Sequence, residues 1–208
     1  PFAEVVVRQP DFLRGLSLTL DTTDLETWKD WLRLRIVQAH AAYLGSDVVA
    51  AEFDFVGRTL SGIPEQRARW KRGVSLVDDS LGEAVGELYV ARHFPPAARE
   101  RMGELVDNLV EAFRRSFRES AWMSEETQAK ALDKLDRFTP KIGYPDKWRD
   151  FSELQILADD LVGNVKRSAS FETDYQLAKI GGPIDRTEWL MSPQTVNAYY
   201  HPMMNEVV

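Results

Sequence analysis

Apart from Val5-Val6-Val7 and the last dozen residues, apolar side chains recur along this chain at steps of three and four, the period of helices with one packed face. Thr23 and Glu26 form a T-x-x-E capping box. Leu25, Trp28, Leu32, Ile36, Ala39 and Tyr43 follow as one stripe, and Gly45 supplies a stop. A second helix is expected over residues 47–60, ending at Gly62, and a third opens with Pro64 in its first turn, where a missing N–H costs nothing. Ser80 and Glu83 make another capping box, which predicts a fresh helix carrying Val85, Leu88, Tyr89 and Ala91 and finishing before Pro95-Pro96.

From Ala97 the stripe is Met102, Leu105, Leu109, Phe113 and Phe117; from Ser124 it is Ala131, Leu132, Leu135 and Phe138, closed by Pro140. Both stripes read as core. Residues 141–151 read as a loop and 152–180 as a long helix ended by Gly181-Gly182-Pro183. The period then changes: residues 195–200 are β-branched and aromatic, His201 to Met204 suit a turn, and residues 205–208 restart an extended segment. The expected fold is mainly α, a multi-helix domain over 1–185 with a short β-hairpin in 186–208. The hairpin's second strand is expected to leave Val207 and Val208 on an open, mobile edge.

Composition narrows the function. A formal charge of -7 argues against a phosphate-backbone partner, and the basic cluster Arg67, Arg69, Lys71 and Arg72 spreads around its helix as a solvated face. No nucleic acid is expected. No run approaches the roughly 18 apolar residues of a membrane-spanning helix, and residues 1–10 lack the apolar region of a signal peptide. With no cysteine there are no disulfides and no thiolate chemistry, which leaves the compartment open between the cytoplasm and secretion or the cell surface. Pro1 in place of an initiator methionine, and an end inside the apolar Val207-Val208, suggest an excised piece.

Candidate chemistry is sparse. His40, His93 and His201 are too widely spaced for an H-x-x-x-H helical pair, so each reads as a local structural residue. Asp78, Asp79, Glu83 and Glu87 lack the paired Glu-x-x-His of a four-helix carboxylate site and read as a solvated acidic face. Nucleophile-elbow, P-loop and dinucleotide fingerprints are absent. Taken alone, Asn197 reads as a hairpin asparagine satisfied by its own backbone.

Val196-Asn197-Ala198-Tyr199-Tyr200, followed by Asn205-Glu206-Val207-Val208, resembles the V-N-A-Y-[YF]…N-x-[IV]-V segment of the neprilysin-like zinc metallopeptidases, family M13. The resemblance continues in order through Trp70-Lys71-Arg72, residues 84–90, Trp122-Met123, Thr127, Ala131, Lys134, Ile142-Gly143-Tyr144-Pro145 and Trp189. It implies a zinc endopeptidase acting on peptides, its zinc held by the two histidines of an H-E-x-x-H motif and by a later glutamate, with the glutamate of the motif activating the metal-bound water; this chain contains none of these residues. No catalytic residue or metal ligand is therefore assigned here, and the chain alone is expected to be inactive. By the resemblance Asn197 hydrogen-bonds the substrate backbone through its side-chain amide and Ala198 through its carbonyl, with the substrate added as a strand. Residues 1–185 then serve as a helical cap and 186–208 as the start of a catalytic sheet completed by the rest of the catalytic domain. The lack of cysteine suggests a bacterial member. The competing expectation is a helical interaction module without catalysis.

Overall fold

The computed structural model describes residues 5–208, and the chain divides into two compact units, residues 1–66 and 67–208. In the first, α1 (Pro10–Thr22) starts on a proline with Asp11 beside the positive end of the helix dipole. The helix α2 (Leu25–His40) is capped by Asp24, not by Thr23: the Asp24 carboxylate accepts from the Thr27 N–H at 2.9 Å and from its hydroxyl at 2.7 Å. A carboxylate serves both donors at once and is favoured by the helix dipole, so it displaces the neighbouring threonine. Gly45 does not stop α2, which ends in a 3-10 turn at Ala41–Tyr43; it stands at the N-cap of α3 (Ser46–Glu52).

The single helix expected over 47–60 changes winding half-way. Residues Phe53–Leu60 form a π-helix that ends before Gly62, whose φ is +67°. The hydroxyls of Thr59 and Ser61 donate to the carbonyls of Asp54 and Val56, five residues back, both at 2.8 Å, and so support the wider turn.

No helix opens at Pro64, and in the second unit α4 spans Arg69–His93. The break expected at Ser80–Glu83 is present: Leu81 leaves helical geometry (φ −138°, ψ 27°), and the two halves of α4 meet there at a kink. There the Gln194 side-chain amide donates to the Gly82 carbonyl at 2.9 Å, a side-chain insertion of the kind that bends helices. The helices α5 (Pro96–Arg118) and α6 (Glu125–Asp136, capped by Ser124) form a hairpin tied by the Arg114–Asp136 ion pair.

The helix expected from 152 begins later, as α7 (Leu161–Ala178). Asp150 accepts from the Ser152 N–H, Asn164 bonds both the N–H and the carbonyl of Leu157, and Asp160 caps Gly163. These side chains offer the backbone of 152–160 an alternative to helix. The α7 helix is followed by Gly181 at φ +80°.

A small sheet completes the unit. Its strands β1 (Thr139–Pro140), β2 (Tyr200–His201) and β3 (Glu206–Val207) lie in the order β1-β3-β2. The predicted hairpin is present, turning through Asn205, the non-glycine residue with positive φ (53°) among those described. Its strand is shorter than 195–200, because the Asn197 N–H bonds the Thr195 carbonyl and the Thr195 N–H bonds that of Ser192. The open edge expected at Val207 and Val208 is replaced by a central strand: β1 pairs with β3 in parallel, Thr139 opposite Glu206.

Of the described hydrophobic residues only Ala41 is buried. The α5 stripe expected to be core stays open, with Leu109 51% and Phe113 55% exposed, because nothing in the described unit packs on that face.

Candidate functional site

Asn197 and Ala198 lie immediately before the sheet, both exposed. Tyr199 and Val208 exchange both backbone hydrogen bonds, 3.3 and 3.1 Å, so the main chain is paired up to the residue after Ala198. The Asn197 carbonyl oxygen Oδ1 accepts from the Ala198 N–H at 2.8 Å. That bond assigns the amide's orientation and leaves the Nδ2 group and the Ala198 carbonyl without a hydrogen bond among the described residues. One donor group and one acceptor therefore stand on consecutive residues at the margin of a sheet, a pattern an extended peptide can meet with its own amide and carbonyl.

The two tyrosines that follow diverge. Tyr199 is half-buried, its hydroxyl accepts from the Leu190 N–H at 3.4 Å, and burial raises its pKa. Tyr200 is exposed, lies under the Lys134 ammonium at 5.2 Å and donates to Asn205. Gln194 anchors the approach to Asn197 by donating to Asp78 as well as to Gly82. Gly86 is buried under this approach, where a Cβ would come within 2.8 Å of Pro193.

A separate cavity of about 570 Å³ lies between α4, α7 and the loops around 145–153 and 185–189. Arg149 dominates it, with its guanidinium 3.9 Å from the Tyr175 ring centroid and 4.8 Å from that of Phe171, paired with Glu172 at 2.6 Å. Burial pushes the Glu83 carboxyl above its ordinary range although it accepts the Arg149 N–H at 3.0 Å. Burial, together with a hydrogen bond donated to Glu188, pushes Tyr175 up to about 12. Sequence reasoning placed Glu83 on a solvated face and gave Arg149 no role, since nothing local marks a loop arginine for burial among distant aromatic rings.

No group of three or more histidine, cysteine, aspartate or glutamate side chains capable of holding a metal occurs among the described residues. The three histidines are engaged locally: His40 with the Ile36 carbonyl, His93 against the Tyr89 ring, and His201 accepting from the Met204 N–H. Among the described residues the donor set does not fit a zinc ion. None of the described helices is long and apolar enough to cross a membrane.

The sequence model of Peptidase family M13 matches residues 1–145. The "Neutral endopeptidase" of Lactobacillus helveticus is 30% identical over 205 residues, covering 98% of this chain and 32% of that protein. Two solved structures of the Mycobacterium tuberculosis zinc metalloprotease Zmp1 are similar throughout. The inhibitor complex has a TM-score of 0.88 at 53% identity, covering 98% of this chain and 30% of that one. The open state has a TM-score of 0.84 at 54% identity, covering 98% and 31%. The chain thus spans about a third of the length of the relatives it matches.

Proposed function

The chain belongs to peptidase family M13, and on that premise we propose that it is the part of a zinc-dependent endopeptidase that receives the peptide substrate. The observation that carries the proposal is the exposed pair Asn197 and Ala198, whose Nδ2 group and carbonyl are unpaired next to a fully paired Tyr199. A substrate laid along this margin gains main-chain hydrogen bonds that do not depend on its side chains, and its scissile bond is held in one place. Zinc, held by residues outside this chain, supplies the activated water in the intact enzyme. Binding and alignment are the work of the residues seen here. The remaining helical residues act as a cap over the catalytic centre, and the open α5 stripe is a surface for the rest of the enzyme to cover. Residues 1–208 alone are inactive on this reading.

The test is Asn197→Ala in the intact enzyme. Losing a hydrogen bond to the substrate and leaving its partner unpaired in a partly desolvated cleft costs about 1 to 3 kcal/mol. At about 1.36 kcal/mol per factor of ten, kcat/KM on peptides falls roughly five- to a hundredfold or more, with zinc content and melting temperature near the parent's. Unaltered hydrolysis with a lowered melting temperature would return Asn197 to a purely structural role.

A further inference from the structure

Among the described residues two charged side chains are buried, and they are buried against each other. Lys141 Nζ lies 2.8 Å from Glu206 Oε2, with 7% and 3% of the two side chains exposed. The same ammonium donates to the Glu188 carbonyl at 2.6 Å, and the Lys141 backbone N–H donates to the Val207 carbonyl at 2.8 Å. The end of β1, the central strand β3 and the loop before Leu190 therefore meet at one ion pair.

Such a pair is a poor source of net stability, because taking two ions out of water offsets most of their attraction. It is better suited to excluding alternatives, and β3 has alternatives to exclude. Both of its partners are two-residue strands, too short for the ladder itself to specify register. A slip of one residue turns Glu206 to the opposite face, and a slip of two carries it about 7 Å along the strand; either breaks the contact with Lys141. Register at β3 passes directly to β2, since Tyr200 and His201 stand opposite Val207 and Glu206 and the Tyr199–Val208 bonds follow.

We infer that Lys141 and Glu206 are positioning residues for substrate binding: their ion pair locks the register of β3 and so sets where the Asn197 amide and the Ala198 carbonyl stand. This rests on the reading of Asn197 and Ala198 as the substrate edge. The pair touches no substrate and acts only through β3.

The test uses the intact enzyme with Lys141→Met and Glu206→Leu, singly and together, each with and without Asn197→Ala. The single variants leave a buried unpaired charge and lower the denaturation midpoint; the double variant, an apolar pair of similar volume, recovers much of it. Hydrolysis does not recover with it: kcat/KM stays about tenfold down, mainly through KM, with zinc content unchanged. Asn197→Ala, which costs roughly fivefold or more in the parent, costs less than about twofold in the double variant, because the edge it serves is already displaced. All rates are taken where circular dichroism shows each variant folded, so the coupling is read whether or not the apolar pair restores full stability. Parental kcat/KM in the double variant, or the full Asn197→Ala effect in both backgrounds, overturns the inference. If Asn197→Ala alone leaves hydrolysis unaltered, the substrate-edge reading fails first and the inference falls with it.

Discussion

Gly86→Ala sets two opposed effects against each other at one position. In the interior of a helix alanine is favoured over glycine by about 1 kcal/mol, and Gly86 lies well inside α4. A Cβ there would come within 2.8 Å of Pro193 Cδ and 3.0 Å of Gln194 Oε1, both closer than ordinary carbon contacts. The proline ring cannot rotate aside, and Gln194 is held by its bonds to Asp78 and Gly82. The segment 192–194 must therefore move, at a cost typical of overpacking, about 1 to 3 kcal/mol. Over most of that range the clash outweighs the propensity gain, and the variant is destabilised by up to about 2 kcal/mol. Gly73→Ala is the control, in the same helix with nothing within 4 Å of the built Cβ, and it gains up to about 1 kcal/mol. Chemical denaturation of the intact enzyme separates the two, with midpoints moving in opposite directions. Because 192–194 leads into Asn197, Gly86→Ala also lowers kcat/KM on peptides while Gly73→Ala does not. A Gly86→Ala protein as stable as the Gly73→Ala protein would refute the packing argument.

Two further outcomes follow from local chemistry. Glu83 has its folded pKa raised above the ordinary 4.5 by burial, so the stability it contributes when protonated is lost as pH rises from 4.5 through the raised value. Glu83→Gln, uncharged throughout, gains on the parent across that window; denaturation midpoints from about pH 4 to about pH 8 check this, and an advantage that shrinks with rising pH contradicts it. Ser124→Ala removes the acceptor of the Thr127 N–H at the start of α6 and costs about 1 kcal/mol, whereas Ser124→Asp keeps the cap and costs little by the same measurement.

Legibility in the sequence followed the range of the interaction responsible. The α5 and α6 starts at Pro96 and Ser124, the turn before β3 and the glycine after α7 were readable, because a proline ring, a capping hydroxyl or a positive φ acts on its immediate neighbours. Where two local signals competed, as Thr23 and Asp24 did, the reading was off by one residue, and the carboxylates and amides around 152–160 passed for a helix because their backbone bonds interrupt an apolar period without erasing it. The V-N-A-Y-Y motif marked Asn197 and Ala198, but nothing within it showed that Oδ1 is taken by Ala198 and Nδ2 is free.

The amino-acid sequence by itself determined a mainly helical chain, several of its helix starts, the hairpin and the family to which it belongs. Only the tertiary structure decided that β3 is a central strand, that Gln194 inserts at the α4 kink, and that Lys141 is buried against Glu206. Helix periodicity and capping are set within a few residues. A parallel strand partner or a buried ion pair needs two segments far apart in the chain to meet, and the charge on Lys141 looks the same in sequence whether water or Glu206 receives it.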